Sequence, residues 1–402
     1  MDLDRKRWSV VLAGICANLC SGSAYAFSVY KGPLKELLGC PETQLALAFS
    51  LSIAFLPVGM LLSGKIADQR SPRMIVALGG LVFGGGMVLA SFSRSLGWLY
   101  ATYGVMMSTG NGAAYGAVIA AAVKWFPDRR GLASGMVVGA LGVGTVVIAP
   151  LAQRIIDSPG LGIVGAFRIL GTAFVVLTLA ASRFVINPPA GYSPSKFVTQ
   201  DSEEDAESTN LTWGQMIRRP RFWLLHALYV AGAFSGLMVV SQASPIAQEI
   251  TGLTAAQASL IVSVLGLANA SGRLFWGGIS DRIGRFEALA LMFAVTAAVM
   301  FSLNALAAEP PTLVAAIALI ALCYGGYLGI FPSLCADSFG SRNLAVNYGV
   351  LFSAFSLAGV LGPFVVARLK DAGGGYGQAF VVAGSVAALG LSLSLGARAR
   401  ST

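Results

Sequence analysis

One arginine stands inside an otherwise apolar stretch, Leu265-Gly-Leu-Ala-Asn-Ala-Ser-Gly-Arg273-Leu-Phe-Trp-Gly-Gly-Ile-Ser-Asp281-Arg-Ile-Gly-Arg285. If the stretch is a membrane helix whose charged end sits at the surface, Arg273 lies roughly 12 Å inside, at about 1.5 Å per residue. A charge at that depth costs about 2.5–3.5 kcal/mol on the gentlest insertion scale and marks a functional site by default. Guanidinium is planar, forked and always charged, which suits bidentate binding of a carboxylate. The other fates of such a group are snorkelling to the interface or bonding backbone carbonyls. Gly266, Asn269, Arg273 and Gly277 share one helical face at i, i+3/i+4 spacing. That small and polar stripe borders either a cavity or a helix seam.

The other residues with chemistry lie at helix ends and repeat. Gly64-Lys-Ile-Ala-Asp68-Gln-Arg-Ser-Pro-Arg73 matches Gly277-Gly-Ile-Ser-Asp281-Arg-Ile-Gly-Arg285, and Asp68 and Asp281 are 213 residues apart. The same offset relates Gly112 to Gly325, Gly116 to Gly329, Phe126 to Phe339 and Arg129 to Arg342. An acid at a helix end facing basic groups can latch helices in one conformation and release them in another, or can simply end the helix. The expected latch comprises Asp68, Arg73, Asp281, Arg285, Arg129 and Arg342. Asp128 and Asp337 lie near the same ends and Glu249 near the opposite one, so no acid is expected in mid-membrane. His226, the lone histidine, is expected in a helix-end or core role. Five cysteines, an odd number mostly within apolar runs, suggest neither disulfides nor a metal site. No phosphate loop or catalytic triad appears, so the expectation is no enzyme, no metal and no cofactor.

These residues need elements to hold them. The chain is 56% hydrophobic and 11% charged, against about 25% charged in soluble domains, and is expected to be an all-α integral membrane protein. Twelve apolar runs approach the ~20 residues a span requires: about 8–30, 44–66, 74–93, 97–122, 131–153, 163–185, 221–247, 255–280, 286–307, 312–335, 345–368 and 377–396. Forty-nine glycines support close helix approach. The start has no convincing cleavage site, so the first span is expected to be retained. With both termini inside, Lys and Arg divide 19 inside to 7 outside, Arg273 apart. This is the positive-inside asymmetry, so the net charge of +9 reports orientation rather than nucleic-acid binding. The polar stretch Asn187 to Pro220 contains the acidic run Asp201 to Glu207 and a candidate interfacial helix, Trp213 to Arg219. It divides the chain into an N-terminal six-helix bundle (1–185), a linker (186–220) and a C-terminal six-helix bundle (221–402). Two parallel repeats of six place a substrate cavity at their interface.

The Gly-x-x-x-Asp pattern with following arginines, at 64–73 and 277–285, resembles the signature of the major facilitator superfamily. Tyr25-Ala-Phe27, Lys124-Trp-Phe-Pro-Asp-Arg-Arg-Gly-Leu-Ala-Ser-Gly135 and Asn347-Tyr-Gly349 are similar to the monocarboxylate transporters, bacterial lactate/proton symporters included, and to the related oxalate/formate antiporters. The resemblance covers essentially the whole chain. It implies two pseudo-symmetric bundles totalling 12 transmembrane helices, and it places a substrate-binding arginine at Arg273. Asn269 stands where eukaryotic relatives have an aspartate involved in proton coupling, and Val29 where the family has a first-span lysine. In Phe352-Ser-Ala-Phe355-Ser-Leu357, Phe355 replaces the second buried base of similar oxalate transporters.

One fixed positive charge matches one carboxylate, because a second would enter the low-dielectric site uncompensated. Around Arg273 we expect Tyr115 and Tyr327, with Phe331, Leu141 and Phe355 as apolar wall and Ser356 as a further polar group. The resemblance implies a monomeric, proton-coupled symporter of a small monocarboxylate such as L-lactate, working by rocking-bundle alternating access in a bacterial cytoplasmic (inner) membrane, with both termini cytoplasmic. The competing expectation is an oxalate/formate-type organic anion exchanger. Partners are the anion, a proton and the bilayer.

Overall fold

The computed structural model describes residues 3–24, 26–189, 192, 210–306, 309–371, 373 and 375–398. Tyr25, Lys196, the acidic run Asp201 to Glu207 and Arg400 lie outside them. The elements are α1 (Leu3–Ser21), α2 (Phe27–Leu38), α3 (Glu42–Gln69), α4 (Pro72–Ala90), α5 (Ser108–Trp125), α6 (Arg130–Ile156), α7 (Gly162–Ser182), α8 (Pro220–Thr251), α9 (Ala255–Ile283), α10 (Arg285–Leu306), α11 (Pro310–Phe339), α12 (Leu344–Asp371) and α13 (Gly375–Arg398). All the long elements are helical, as backbone in hydrocarbon must satisfy its own polar groups.

Among the described residues nine helices are individually long and apolar enough to cross a membrane. The other three spans depart from plain apolar helices. The first is α1 and α2 separated by a 3-10 turn at Gly22–Ala24, where a Cβ on Gly22 would collide with the α6 backbone at Gly144 and Thr145. The fourth is α5 preceded by a π-helical stretch, Tyr100–Met107. The eighth is α9, which holds Arg273. Large apolar side chains such as Leu62, Val176, Val360 and Leu389 are exposed on the outside, as a lipid-facing surface requires.

The first six spans and the last six pack mainly among themselves. Across the division α3 lies against α12, α6 against α9 and α11. Small residues permit these crossings. Gly64 of α3 sits on the α12 backbone at Ala345 and Val346, and Gly277 of α9 sits on Gly131 of α6. Inside the second half a Cβ on Gly325 of α11 would strike the Asn269 carbonyl and the Arg273 amide nitrogen. The backbone around Arg273 is thus in direct contact with that of α11.

The expected interfacial helix is one turn, Trp213–Met216, closed by a capping box between Thr212 and Gln215. Leu211 pins it to the second half, its amide donating to the Phe339 carbonyl at 3.0 Å and its carbonyl accepting from Asn347 at 2.9 Å.

Gly325→Leu is expected to lower stability by about 1–3 kcal/mol or more, the cost of overpacking a tight contact, while Gly266→Leu, where a Cβ meets open space, should be tolerated. Thermal unfolding of the detergent-solubilised variants checks this.

Candidate functional site

Arg273 is 2% exposed. Its Nη1 donates to the Val138 carbonyl of α6 at 2.7 Å, and its Nη2 donates to Asn269 Oδ1 at 2.8 Å. Its Nε and the Asn269 Nδ2 are buried with no hydrogen-bond partner among the described residues. The carbonyl bond anticipated as an alternative fate is therefore present, and it crosses from one half to the other. Both partners are neutral, so the charge is solvated but not neutralised. That leaves donors and net charge for an anion.

A small cavity lies between the halves in front of this group. Its polar wall is Arg273, Tyr115, Asn111, Ser21 and Ser52; its apolar wall includes Leu141, Leu328, Phe352 and Phe355. The free volume is about 30 Å³, room for two or three water-sized groups when one needs about 10–15 Å³. Arg273 is the one charged side chain among the residues lining it.

Of the expected residues, the structure brings Arg273, Asn269, Tyr115, Leu141 and Phe355 together. Three lie elsewhere. Tyr327 packs in the second half, its ring over Gly232 and 4.9 Å from that of Phe293. Phe331 stacks on Tyr229 with centroids 4.0 Å apart. Both are on the α11 face turned toward α8, and the neighbouring Leu328 faces the cavity in their place. Ser356 donates to the Ile53 carbonyl at 3.1 Å, a bond in the seam between α12 and α3. Ser21 and Asn111 were not anticipated; Ser21 Oγ donates to Asn111 Oδ1 at 2.6 Å. Asn111 lies one turn before Tyr115, the spacing that relates Asn269 to Arg273, and that spacing was the available signal. His226 is half-buried beside Ser353 Oγ, 3.2 Å away, and no cluster of metal-binding side chains occurs among the described residues.

At the face holding both chain ends the halves are shut. Asp281 accepts from the amides of Gly131 and Leu132, both at 2.8 Å. Asp68 accepts from the amides of Ala345 and Val346 at 3.1 and 3.2 Å. In each case the acid caps the second and third residues of a helix of the other half, α6 and α12. These amides have no intrahelical partner, and the helix dipole favours an anion there. Arg285 joins Asp281 at 2.7 Å and Asp337 at 2.9 Å, and Arg130 joins Asp337 at 2.6 Å. Asp68 is paired instead with Lys124 at 2.6 Å. Deeper in, Ser134 donates to the Gly329 carbonyl at 2.6 Å and meets Ser333 Oγ at 2.9 Å.

The contacts between the halves thus include Asp68, Asp281 and Arg285, whereas Arg73 and Arg129 stand outside them. Arg73 is exposed at the start of α4, where it lines a groove with Leu179, Ser182 and Arg183 of the sixth span. Arg129 is exposed and only grazes its neighbour Asp128 at 4.0 Å. Arg342 stands at the same face, its carbonyl accepting from Lys124 at 3.4 Å and its amide donating to Asn210 Oδ1 at 3.1 Å. The partners missed are Lys124, Arg130 and Asp337, of which Lys124 and Asp337 are themselves 213 residues apart.

Asp281→Ala removes two charge-assisted bonds to backbone, each worth about 1.5–3 kcal/mol at most. We expect the closed face to open and Cys335, fully buried on α11, to become labelled at least ten times faster by a thiol reagent in a background lacking the other cysteines; Asp4→Ala should not change the rate.

Comparison with known proteins places this geometry among transporters. Residues 11–363, with a second match over 236–399, fit the family model of the Major Facilitator Superfamily. The chain is 33% identical over 365 residues to the oxalate:formate antiporter of Oxalobacter formigenes, covering 89% of this chain and 83% of that protein. It is 26% identical over 348 residues to monocarboxylate transporter 12 of Homo sapiens, covering 80% and 67%. Among solved structures, a proton:xylose symporter superposes with a TM-score of 0.73 at 13% identity, over 98% of this chain and 96% of that one. At that identity the likeness concerns the fold.

Proposed function

The chain belongs to the Major Facilitator Superfamily, and from that premise we propose that it is a secondary transporter of a small monocarboxylate, such as L-lactate, in symport with a proton. The observation that carries this reading is Arg273, a buried charge held by neutral oxygens on the wall of a cavity between the halves.

A carboxylate entering the cavity takes the Nη donors from Val138 and Asn269 and neutralises the charge. Opposite it, with Oδ1 occupied by Ser21, Asn111 offers its amide N–H donors to a second polar group such as a 2-hydroxyl. Leu141, Phe352 and Phe355 accept a methyl. Phe355 offers nothing to a second carboxylate, whose desolvation would go unrepaid. Freeing Nη1 from Val138 severs a bond between α6 and α9, which ties anion binding to separation of the halves. The halves then rock about the cavity, and the capped face opens as the other closes. By the positive-inside rule the capped face is cytoplasmic, with both termini there, and the protein works as a monomer divided at 1–185, 186–220 and 221–402. The groups at hand for the proton are Tyr115 and the substrate carboxylate.

Anion exchange is the second reading. It is favoured by the lack of any Asp or Glu among the cavity-lining residues and by the oxalate:formate antiporter among the relatives. In an exchanger the unneutralised Arg273 would bar return of the empty carrier.

In proteoliposomes, an inward proton gradient alone should drive uptake of labelled lactate into vesicles holding no organic anion; uptake only with an internal counter-anion establishes exchange instead. Arg273→Ala should reduce uptake by about 100-fold or more, as expected when about 3 kcal/mol of charge-assisted bonding is lost, and uptake near wild type would sink the proposal. Asn111→Ala should lower the preference for lactate over acetate by about 5–10-fold, the worth of one hydrogen bond, measured as competing Km values.

A further inference from the structure

Between the start of α4 and the end of α7 lies a groove of about 440 Å³ that the transport reading does not use. The two helices touch at mid-span, where a Cβ on Gly80 would collide with Thr178 and one on Gly84 with the Gly171 carbonyl. Toward the capped face, Met74, Ala77 and Leu179 form an apolar floor, and Arg73 and Arg183 stand at the rim with Ser71 and Ser182. Both arginines are exposed, and neither forms an ion pair with a carboxylate among the described residues. Two cations are thus set over one groove with no carboxylate partner among the described residues.

The surroundings decide the occupant. Met74, Leu78, Leu81, Val176 and Leu177 are exposed, so the groove is continuous with the lipid-facing side of the protein. A soluble phosphate would gain nothing from the apolar floor. A choline headgroup would bring an ammonium to two arginines. Basic pockets between membrane helices match the phosphate of an anionic lipid, and arginine forks bind phosphate oxygens bidentately. The uncapped start of α4, where Ser71 makes no side-chain cap bond, adds a favourable helix dipole.

We propose that this groove binds an anionic phospholipid, its headgroup phosphate between Arg73 and Arg183 and an acyl chain along Met74, Ala77 and Leu179. The site lies in the first half alone and stands whether or not the transport reading does.

Native mass spectrometry of the full-length protein, released from nanodiscs of equimolar phosphatidylglycerol and phosphatidylcholine, tests it. Wild type should retain phosphatidylglycerol over phosphatidylcholine by roughly tenfold or more, the scale expected of two basic side chains at an anionic headgroup. The double variant Arg73→Gln/Arg183→Gln should lose the preference, and Arg73→Lys/Arg183→Lys, which keeps both charges, should retain most of it and shows that replacing both side chains leaves the fold intact. Equal retention of the two lipids by wild type overturns the proposal, as does undiminished preference in the glutamine variant. Displacement of the lipid by glycerol phosphate at equal concentration also overturns it, because the site would then be one for soluble phosphates.

Discussion

A guanidinium held in a low-dielectric interior without a carboxylate is the constraint on which the surrounding structure depends. Hydration is lost at a cost of several kcal/mol, and two neutral oxygens, the Val138 carbonyl and Asn269 Oδ1, return only part of it. A carboxylate in place of Asn269 would stabilise the charge better and leave less for a ligand. Holding the group in that partly satisfied condition requires a rigid seat. Gly135, Gly325 and Gly329 supply it by letting α6 and α11 close on the Arg273 backbone, so the side chain cannot slide along its helix toward water.

The second constraint is at the capped face, and it is of the same kind. Two carboxylates satisfy the orphan amides of helices in the opposite half, so closing the face completes four backbone hydrogen bonds at once. The symmetry is in the caps, not in the ion pairs. Asp68 is paired with Lys124, whereas the position that corresponds to Lys124 is Asp337, which instead joins Arg130 and Arg285. An acid replacing a base at one point of the repeat changes a simple pair into a four-membered network, Asp281–Arg285–Asp337–Arg130. Both caps can be broken without burying a new charge, which is what a reversible closure needs.

Much of this was legible in the chain, for physical reasons. An isolated arginine in an apolar run and an acid repeated at a constant offset are signals that hydrophobic packing alone does not produce. Asn269 followed from helical spacing. What failed were inferences from nearness along the chain. Arg73 follows Asp68 closely in sequence, yet the turn at Ser71–Pro72 carries it to α7, while the true partner, Lys124, comes from α5. In α11, nearly every side is buried, so hydropathy does not say which face meets the cavity. Tyr327 and Leu328 differ by about 100° around the helix, and the larger, more chemically expressive residue was the wrong one. The 3-10 turn in the first span and the π-helical stretch in the fourth are likewise invisible to apolar length, because each depends on which neighbour the backbone meets.

On the proposed function, Arg273 exchanges its bond to the Val138 carbonyl for a substrate carboxylate. A structure of the protein in lipid nanodiscs with saturating L-lactate tests it most directly. Carboxylate oxygens are expected within about 2.7–2.9 Å of the guanidinium nitrogens, the length of charge-assisted bonds, with Nη1 no longer on Val138. A ligand bound elsewhere, with Arg273 still bonded to Val138 and Asn269, would contradict it.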